Sequence, residues 1–241
     1  MPCQSKPDHY IACPNCSQEL RVRYPFRGYE KIQWSDNFLG TEANGFCEFS
    51  SCPVCAHPFW ISDVAKLYRI AHPTPRDSAF GSAILMATGW HGVSVPFDER
   101  NLPEHGELFV QPASNAQMVA ALSHPALSSD RELLLRKTLW HNINHPQRGF
   151  VTDPADVVQE NFRLANLQWL LKQYENQPSD DRDVVIEAEL LREQGLFDAS
   201  IKRMEYAIIC GSTRALAIRR EVIAKNSAVC IVSEMTDMVI C

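Results

Sequence analysis

An α+β fold, with a small antiparallel β unit first and a mainly α-helical region after it, is predicted by three observations. Two C-P-x-C turns, Cys13-Pro14-Asn15-Cys16 and Cys52-Pro53-Val54-Cys55, stand 35 residues apart near the N-terminus. The residues beside them alternate polar and apolar, as strands do. From Ser114 onwards apolar residues recur at steps of three and four, the period of a helix packed on one side. At 241 residues the chain can build one large core or two smaller ones. Breaks in the pattern divide it into 1–70, the turn-bearing unit, 71–126, a mixed connecting region, and 127–241, the helical part.

The two turns carry the strongest chemistry. A C-x-x-C turn lets two thiolates of one loop reach the same ion at about 2.3 Å, and two such turns complete the tetrahedral shell that zinc prefers. Proline after the first cysteine fixes φ near about −65° and tightens each loop. Cys13, Cys16, Cys52 and Cys55 are therefore the expected ligands of one structural zinc in a zinc ribbon. Cys47 and His57 are alternative ligands, and the four turn cysteines are preferred because their loops match. Otherwise Cys47 reads as a small buried apolar residue and Cys3 as a terminal thiol. Nine cysteines with no visible signal segment point to a reducing, cytoplasmic setting, where paired thiols serve metals more often than disulfides. A C-P-x-C turn can also cycle between dithiol and disulfide, which would make the ribbon a thiol redox sensor.

In chain order, 10–12 leads into the first turn and 19–24 leaves it as a strand. A second strand is expected over 46–49 and a third over 58–61, flanking the second turn. Ser62 or Asp63 can cap a short helix over 62–68, ended by Pro73 and Pro75. Beyond it, 93–95 and 108–110 are short strand candidates, and Gly89-Trp90-His91-Gly92 reads as a packed or solvated loop. A helix carrying Met118, Val119 and Leu122 comes next, then one capped near Ser128 that carries Leu133, Leu135, Leu139 and Trp140 and stops at Pro146. A long helix is expected from Pro154, after a cap at Asp153, through Leu171. Helices over 181–193 and 198–210 meet at Gly195. A segment with Leu216, Ile218, Val222 and Ile223 follows, and 228–232 is a short strand or helix end.

Ala188, Leu191, Gly195, Phe197, Ser200, Met204 and Ala207 are spaced as the small, large, turn, aromatic, small, large and small positions of one helical hairpin, and this hairpin resembles a tetratricopeptide repeat. One repeat length upstream, Asn166, Leu170 and Gln173 match poorly. The hairpin must then pack on the helices before it rather than in an array. An ordinary helical bundle with the same small-residue spacing is the alternative. The layout as a whole resembles bacterial proteins that join a C-P-x-C zinc ribbon to tetratricopeptide-like helices. That resemblance implies an interaction protein and brings no catalytic residues with it.

Charge narrows the function classes. Residues 1–70 carry seven Lys/Arg and seven Asp/Glu, so no basic stripe marks a phosphate-binding surface. Nucleic acid is thus the less favoured partner, and Arg21, Arg23 and Arg27 with Tyr24, Phe26 and Tyr29 are the residues it would use. Residues 127–210 carry ten Lys/Arg against fourteen Asp/Glu, which favours a basic protein partner, although acidic helix faces are commonly only solvated. Apolar runs such as 83–87 stop at five residues, far short of a membrane span. The best enzyme-like cluster is His141-Asn142-Ile143-Asn144-His145. Its histidines share a helix face as in H-E-x-x-H, but Asn142 stands where the glutamate base belongs, and capping or turn roles are expected instead. A closed four-cysteine site leaves no position for substrate. The expected function is a non-enzymatic zinc-binding interaction module.

Overall fold

The computed structural model describes residues 9–22, 31–36, 38–40, 48–69, 108–150, 153–178 and 183–235. Small antiparallel sheets come first and a mainly helical region follows, an α+β architecture. The strands are β1 (His9–Ala12), β2 (Glu19–Val22), β3 (Lys31–Trp34), β4 (Leu39–Gly40), β5 (Phe49–Ser51), β6 (Pro58–Trp60), β7 (Lys66–Arg69), β8 (Gln111–Pro112) and, at the far end, β9 (Ile231–Met235). Between β8 and β9 lie α1 (Asn115–Leu122), α2 (Ser129–Ile143), α3 (Glu160–Glu175), α4 (Val184–Glu193), α5 (Phe197–Ile209) and α6 (Thr213–Ile223). The chain forms two compact units: 1–28 with 43–113 and 238–241, and 29–42 with 114–237.

The first unit is two cysteine hairpins. β1 pairs with β2, Ala12 opposite Glu19, and β5 pairs with β6, Ser51 opposite Pro58. Each hairpin therefore closes over the same length of loop, 13–18 in one and 52–57 in the other. A strand from further along the chain extends each sheet, β7 on β1 and β8 on β5. The helix expected over 62–68 is absent: a 3-10 turn at Ile61–Asp63 runs directly into β7. Seven residues are too few to hold a helix by local preference, whereas the open edge of β1 offers a row of backbone partners. The strand expected over 46–49 is β5, shifted towards its turn. Ile11, Leu20, Val22, Phe59 and Ile61 pack with Cys13 and Cys52 as the core, so the first cysteine of each turn is part of the apolar interior.

In the second unit the sheet runs β4-β3-β9. Side-chain caps start four of its six described helices: Ser114 with Gln117 in a reciprocal capping box, Ser128, Asp183 and Ser212. The long helix expected from Pro154 is interrupted. Asp153 does cap a turn there, but the turn is a 3-10 segment, Pro154–Asp156, and α3 begins only at Glu160. Asp156 accounts for this, because its carboxylate accepts the N–H groups of Asn115 and Ala116 at 2.9 and 3.1 Å and so serves the N-terminus of α1. α2, α3 and α4 bury Trp140, Leu167, Leu170, Tyr174, Ile186 and Leu190; α4, α5 and α6 bury Ala188, Met204, Ala215, Ile218 and Val222. α4 belongs to both clusters.

The last three helices end alike. After α4, Leu196 N–H reaches Leu191 C=O and Gly195 N–H reaches Arg192 C=O; after α5, Ser212 and Gly211 repeat the pattern on Ala207 and Ile208. After α6, Asn226 and Lys225 do the same on Glu221 and Val222, but Lys225 takes the left-handed φ of 51° that Gly195 and Gly211 fill elsewhere. A side chain in that region costs about 1–2 kcal/mol, of which the greater unfolded freedom of glycine returns about 0.5–1. Lys225→Gly is therefore expected to raise stability by about 0.5–1 kcal/mol in urea unfolding, and Gly211→Ala to lower it by a similar amount.

Candidate metal centre

The two cysteine turns have one geometry. Cys13 N–H donates to Gln18 C=O at 2.8 Å and Cys52 N–H to His57 C=O at 3.1 Å; Ser17 N–H donates to Cys13 C=O at 2.9 Å and Ala56 N–H to Cys52 C=O at 2.8 Å. The residue after the second cysteine is left-handed in both, Ser17 at φ 61° and Ala56 at φ 56°. Val54 N–H points at Cys52 Sγ from 3.4 Å. The result is a tetrad, Cys13, Cys16, Cys52 and Cys55, whose sulfurs all lie within 4.8 Å of one another.

Each turn contributes a sulfur to each short edge: Cys13 Sγ is 3.7 Å from Cys55 Sγ, and Cys16 Sγ is 3.7 Å from Cys52 Sγ. A regular tetrahedron of sulfurs about 2.3 Å from its centre has edges of about 3.8 Å. A disulfide would bring two of them to about 2.05 Å. The donor set and its spacing fit a metal ion bound by all four. Cys13 and Cys52 are buried, Cys55 is half-buried and Cys16 exposed, so such an ion would sit at the edge of the core.

Electrostatics within the tetrad is uneven. Cys55 is pulled down to about 6, chiefly by the Asn15 side chain and the His57 backbone N–H. Cys16 is pushed up to about 12: the Gln18 backbone works against this, but lost hydration and the three neighbouring thiols prevail. One thiolate thus forms readily while another resists, and a cation among them would favour the ionised form of its ligands. His57 contributes through its backbone; its side chain is exposed and outside the tetrad. Cys47 lies outside the described residues, as do Cys3, Arg23, Tyr24, Phe26, Arg27, Tyr29 and the loop 89–92. Of the arginines that a nucleic-acid surface would use, Arg21 is described, and it is buried in β2 with its guanidinium 5.6 Å from the Phe109 ring centre.

The His141–His145 pair has another role in the second unit. Its two rings flank Phe38 edge-on at 5.4 and 5.3 Å, His145 Nδ1 faces Arg148 Nη1 at 2.9 Å, and His141 Nε2 faces the Asp36 backbone oxygen at 3.3 Å. Among the described residues the cysteine tetrad is the only grouping with metal-ligand spacing. Behind the histidines lies a buried polar network that sequence reasoning missed. Arg148 and Asp36 form an ion pair with both side chains out of water. Asn144 Nδ2 donates to Asp36 at 3.1 Å and to Glu193 at 3.3 Å, and the Trp140 indole N–H donates to Glu193 at 3.0 Å. On α4, Glu189 and Arg192 pair at 2.6 Å with neither exposed. Little in the sequence signalled it: Glu189, Arg192 and Glu193 share an arc of about 100° on α4, which read alone looks like an ordinary solvated face.

Comparison of the chain with known protein families, with curated proteins and with solved structures found no match. No helix among the described residues is long and apolar enough to cross a membrane.

The buried network makes stability depend on pH. Glu193 is pushed up from 4.5 to about 8, first by burial and then by the charges of Glu189 and Asp36, against the Trp140 N–H and Arg192. Between those values the folded chain holds a proton that the unfolded chain releases, so stability falls as pH rises through the window, by at most about 1.4 kcal/mol per pH unit. His145 is held down at about 4, by burial first and then by Arg148, and acts in the opposite sense below its ordinary 6.5. The Glu193 effect is therefore read between pH 6.5 and 8. Cys55, pulled down to about 6, acts in the opposite sense over the same range, so the Glu193 effect is read as a difference: in denaturant titrations the stability of the wild type relative to Glu193→Gln should decline from pH 6.5 to 8, and a difference that stays constant would assign the pH dependence to other groups.

Proposed function

We propose that the protein is a non-enzymatic, zinc-dependent interaction module: a zinc ribbon whose single structural ion fixes one unit, joined to tetratricopeptide-like helices that engage a protein partner. The observation that carries the reading is the pair of turns with matching hydrogen bonds presenting four sulfurs with 3.7 Å cross-turn edges, the spacing of a closed all-thiolate shell. Such a shell suits zinc and leaves no coordination site for water or substrate, which supports a structural ion and argues against metal catalysis. The ribbon core is small, so the ion would contribute much of its folding free energy. A cytoplasmic, reducing location accords with thiolates kept free for metal.

The helical half of the proposal is supported by the α4–α5 hairpin. Ala188 is fully buried, Ser200 Oγ donates to Ala188 C=O at 2.7 Å where the helices approach closely, Gly195 makes the left-handed turn, and Met204 is fully buried in the cluster shared with α6. These are the roles that the small, turn and large positions have in a tetratricopeptide hairpin.

Native mass spectrometry of the wild type, Cys13→Ser and Cys52→Ser, with and without mild peroxide, tests the reading. One zinc per chain is expected in the wild type, kept under peroxide and lost in both variants. Absence of zinc would overturn the ribbon, and zinc expelled by peroxide with new disulfides would replace a structural role with a thiol redox sensor.

A further inference from the structure

The C-terminal helices α5 and α6 gather exposed apolar side chains. Tyr206, Ile209 and Ile223 are 77%, 75% and 70% exposed, and Leu216 is 40% exposed. α6 turns Ala215, Ala217, Ile218 and Val222 to the core. On its other side Leu216, Arg219, Arg220 and Ile223 follow at i, i+3, i+4 and i+7, a single stripe of an α-helix. Both arginines are exposed, as is Lys225 just past the helix end, and among the described residues none of the three has an ion-pair partner. Glu221, the one carboxylate of α6, is half-buried and accepts from Asn226 at 2.7 Å. The stripe thus offers two aliphatic anchors seven positions apart, about 10.5 Å along the axis, with two unbalanced guanidinium groups between them.

We propose that this outer face of α6 docks an acidic amphipathic helix of a partner protein. The proposal rests on the interaction-module reading above and adds the chemistry of the partner. Helix-on-helix docking is read through anchors at i and i+7, and a guanidinium fork selects carboxylates placed between them. A second copy of this chain is a poor occupant. Its acidic excess over 127–210 does not fully reach the surface, because Glu187, Glu189 and Glu193 are buried and Glu132, Glu160 and Glu175 are engaged by Arg136, Arg163 and Arg203. An anionic bilayer calls for a wide apolar face flanked by cations, whereas here anchors and arginines share one narrow stripe.

The test is fluorescence anisotropy of the full chain with a labelled synthetic helix made of two Leu-Ala-Ala-Glu-Glu-Ala-Ala heptads closed by Leu. The control peptide has Lys for Glu, and phosphatidylserine vesicles and duplex DNA are run in parallel. The Glu peptide should bind at least about tenfold more tightly than the Lys peptide at low salt, and lose that advantage as salt rises. Arg219→Glu with Arg220→Glu should weaken Glu-peptide binding about tenfold or more and favour the Lys peptide; Leu216→Ala with Ile223→Ala should weaken it several-fold. All four side chains are exposed, so circular dichroism and zinc content should stay at wild-type values. Equal binding of the two peptides, indifference to the arginine reversal, or preference for vesicles or DNA would overturn the proposal. Failure of the peptide with zinc intact would remove the docking site alone, whereas a wild type without zinc would remove the ribbon whatever the peptide does.

Discussion

Four cysteine sulfurs held within 4.8 Å of one another repel as soon as more than one is ionised, and a cation held among them would answer this repulsion. The strands place the sulfurs. Each hairpin closes over the same six-residue loop, each loop turns left-handed after its second cysteine, and the first cysteine of each sits in the apolar core. Because every short edge of the tetrad joins one hairpin to the other, an ion at its centre would tie together two elements that are otherwise linked through segment 108–113, which bonds to β2 at Arg21 and to β5 at Ser50 and Ser51.

The second unit meets a related demand, charge withdrawn from water, with protein groups. Asp36, Arg148, Glu189, Arg192 and Glu193 are all withdrawn from water, and the desolvation is answered in two ways: the first two and the next two pair, and Glu193 holds its proton to unusually high pH. Such networks are costly when a member is missing, since the remaining charge is left buried. They therefore specify one arrangement of α2, α4 and the β3–β4 segment rather than merely adding to the apolar core.

α4 is the element on which the helical unit turns. One side packs with α2 and α3, the other with α5 and α6, and its carboxylates and arginine fill the polar positions between. Its hairpin with α5 leaves α6 as the last helix, covered on one side and bearing cations and aliphatic groups on the other. An acidic count over 127–210 describes this region poorly, because much of that charge is internal.

The cysteine turns, their flanking strands and the helical run from Ser114 were legible from local pattern, because a C-P-x-C loop, a two-residue alternation and a capped 3.6-residue period each express physics confined to a few neighbouring residues. The caps at Ser128 and Asp153 and the turn at Gly195 belong to that class; the tetrad joins two such loops across about 40 residues and was legible because each loop carries its half of the ligand pattern. What lay beyond it depended on partners distant in the chain. Residues 66–69 became a strand because β1 had an open edge to fill. Asp156 cut short the helix expected from Pro154 because the N-terminus of α1, forty residues earlier, needed its carboxylate. Residues 31–40 joined the helical unit, and Asp36 became the counter-charge of Arg148, 112 positions away. The sequence by itself determined which segments could be strand, helix or metal loop; the tertiary structure decided which charges went inside, because the partner that makes a buried charge tolerable is set by three-dimensional proximity and not by spacing along the chain.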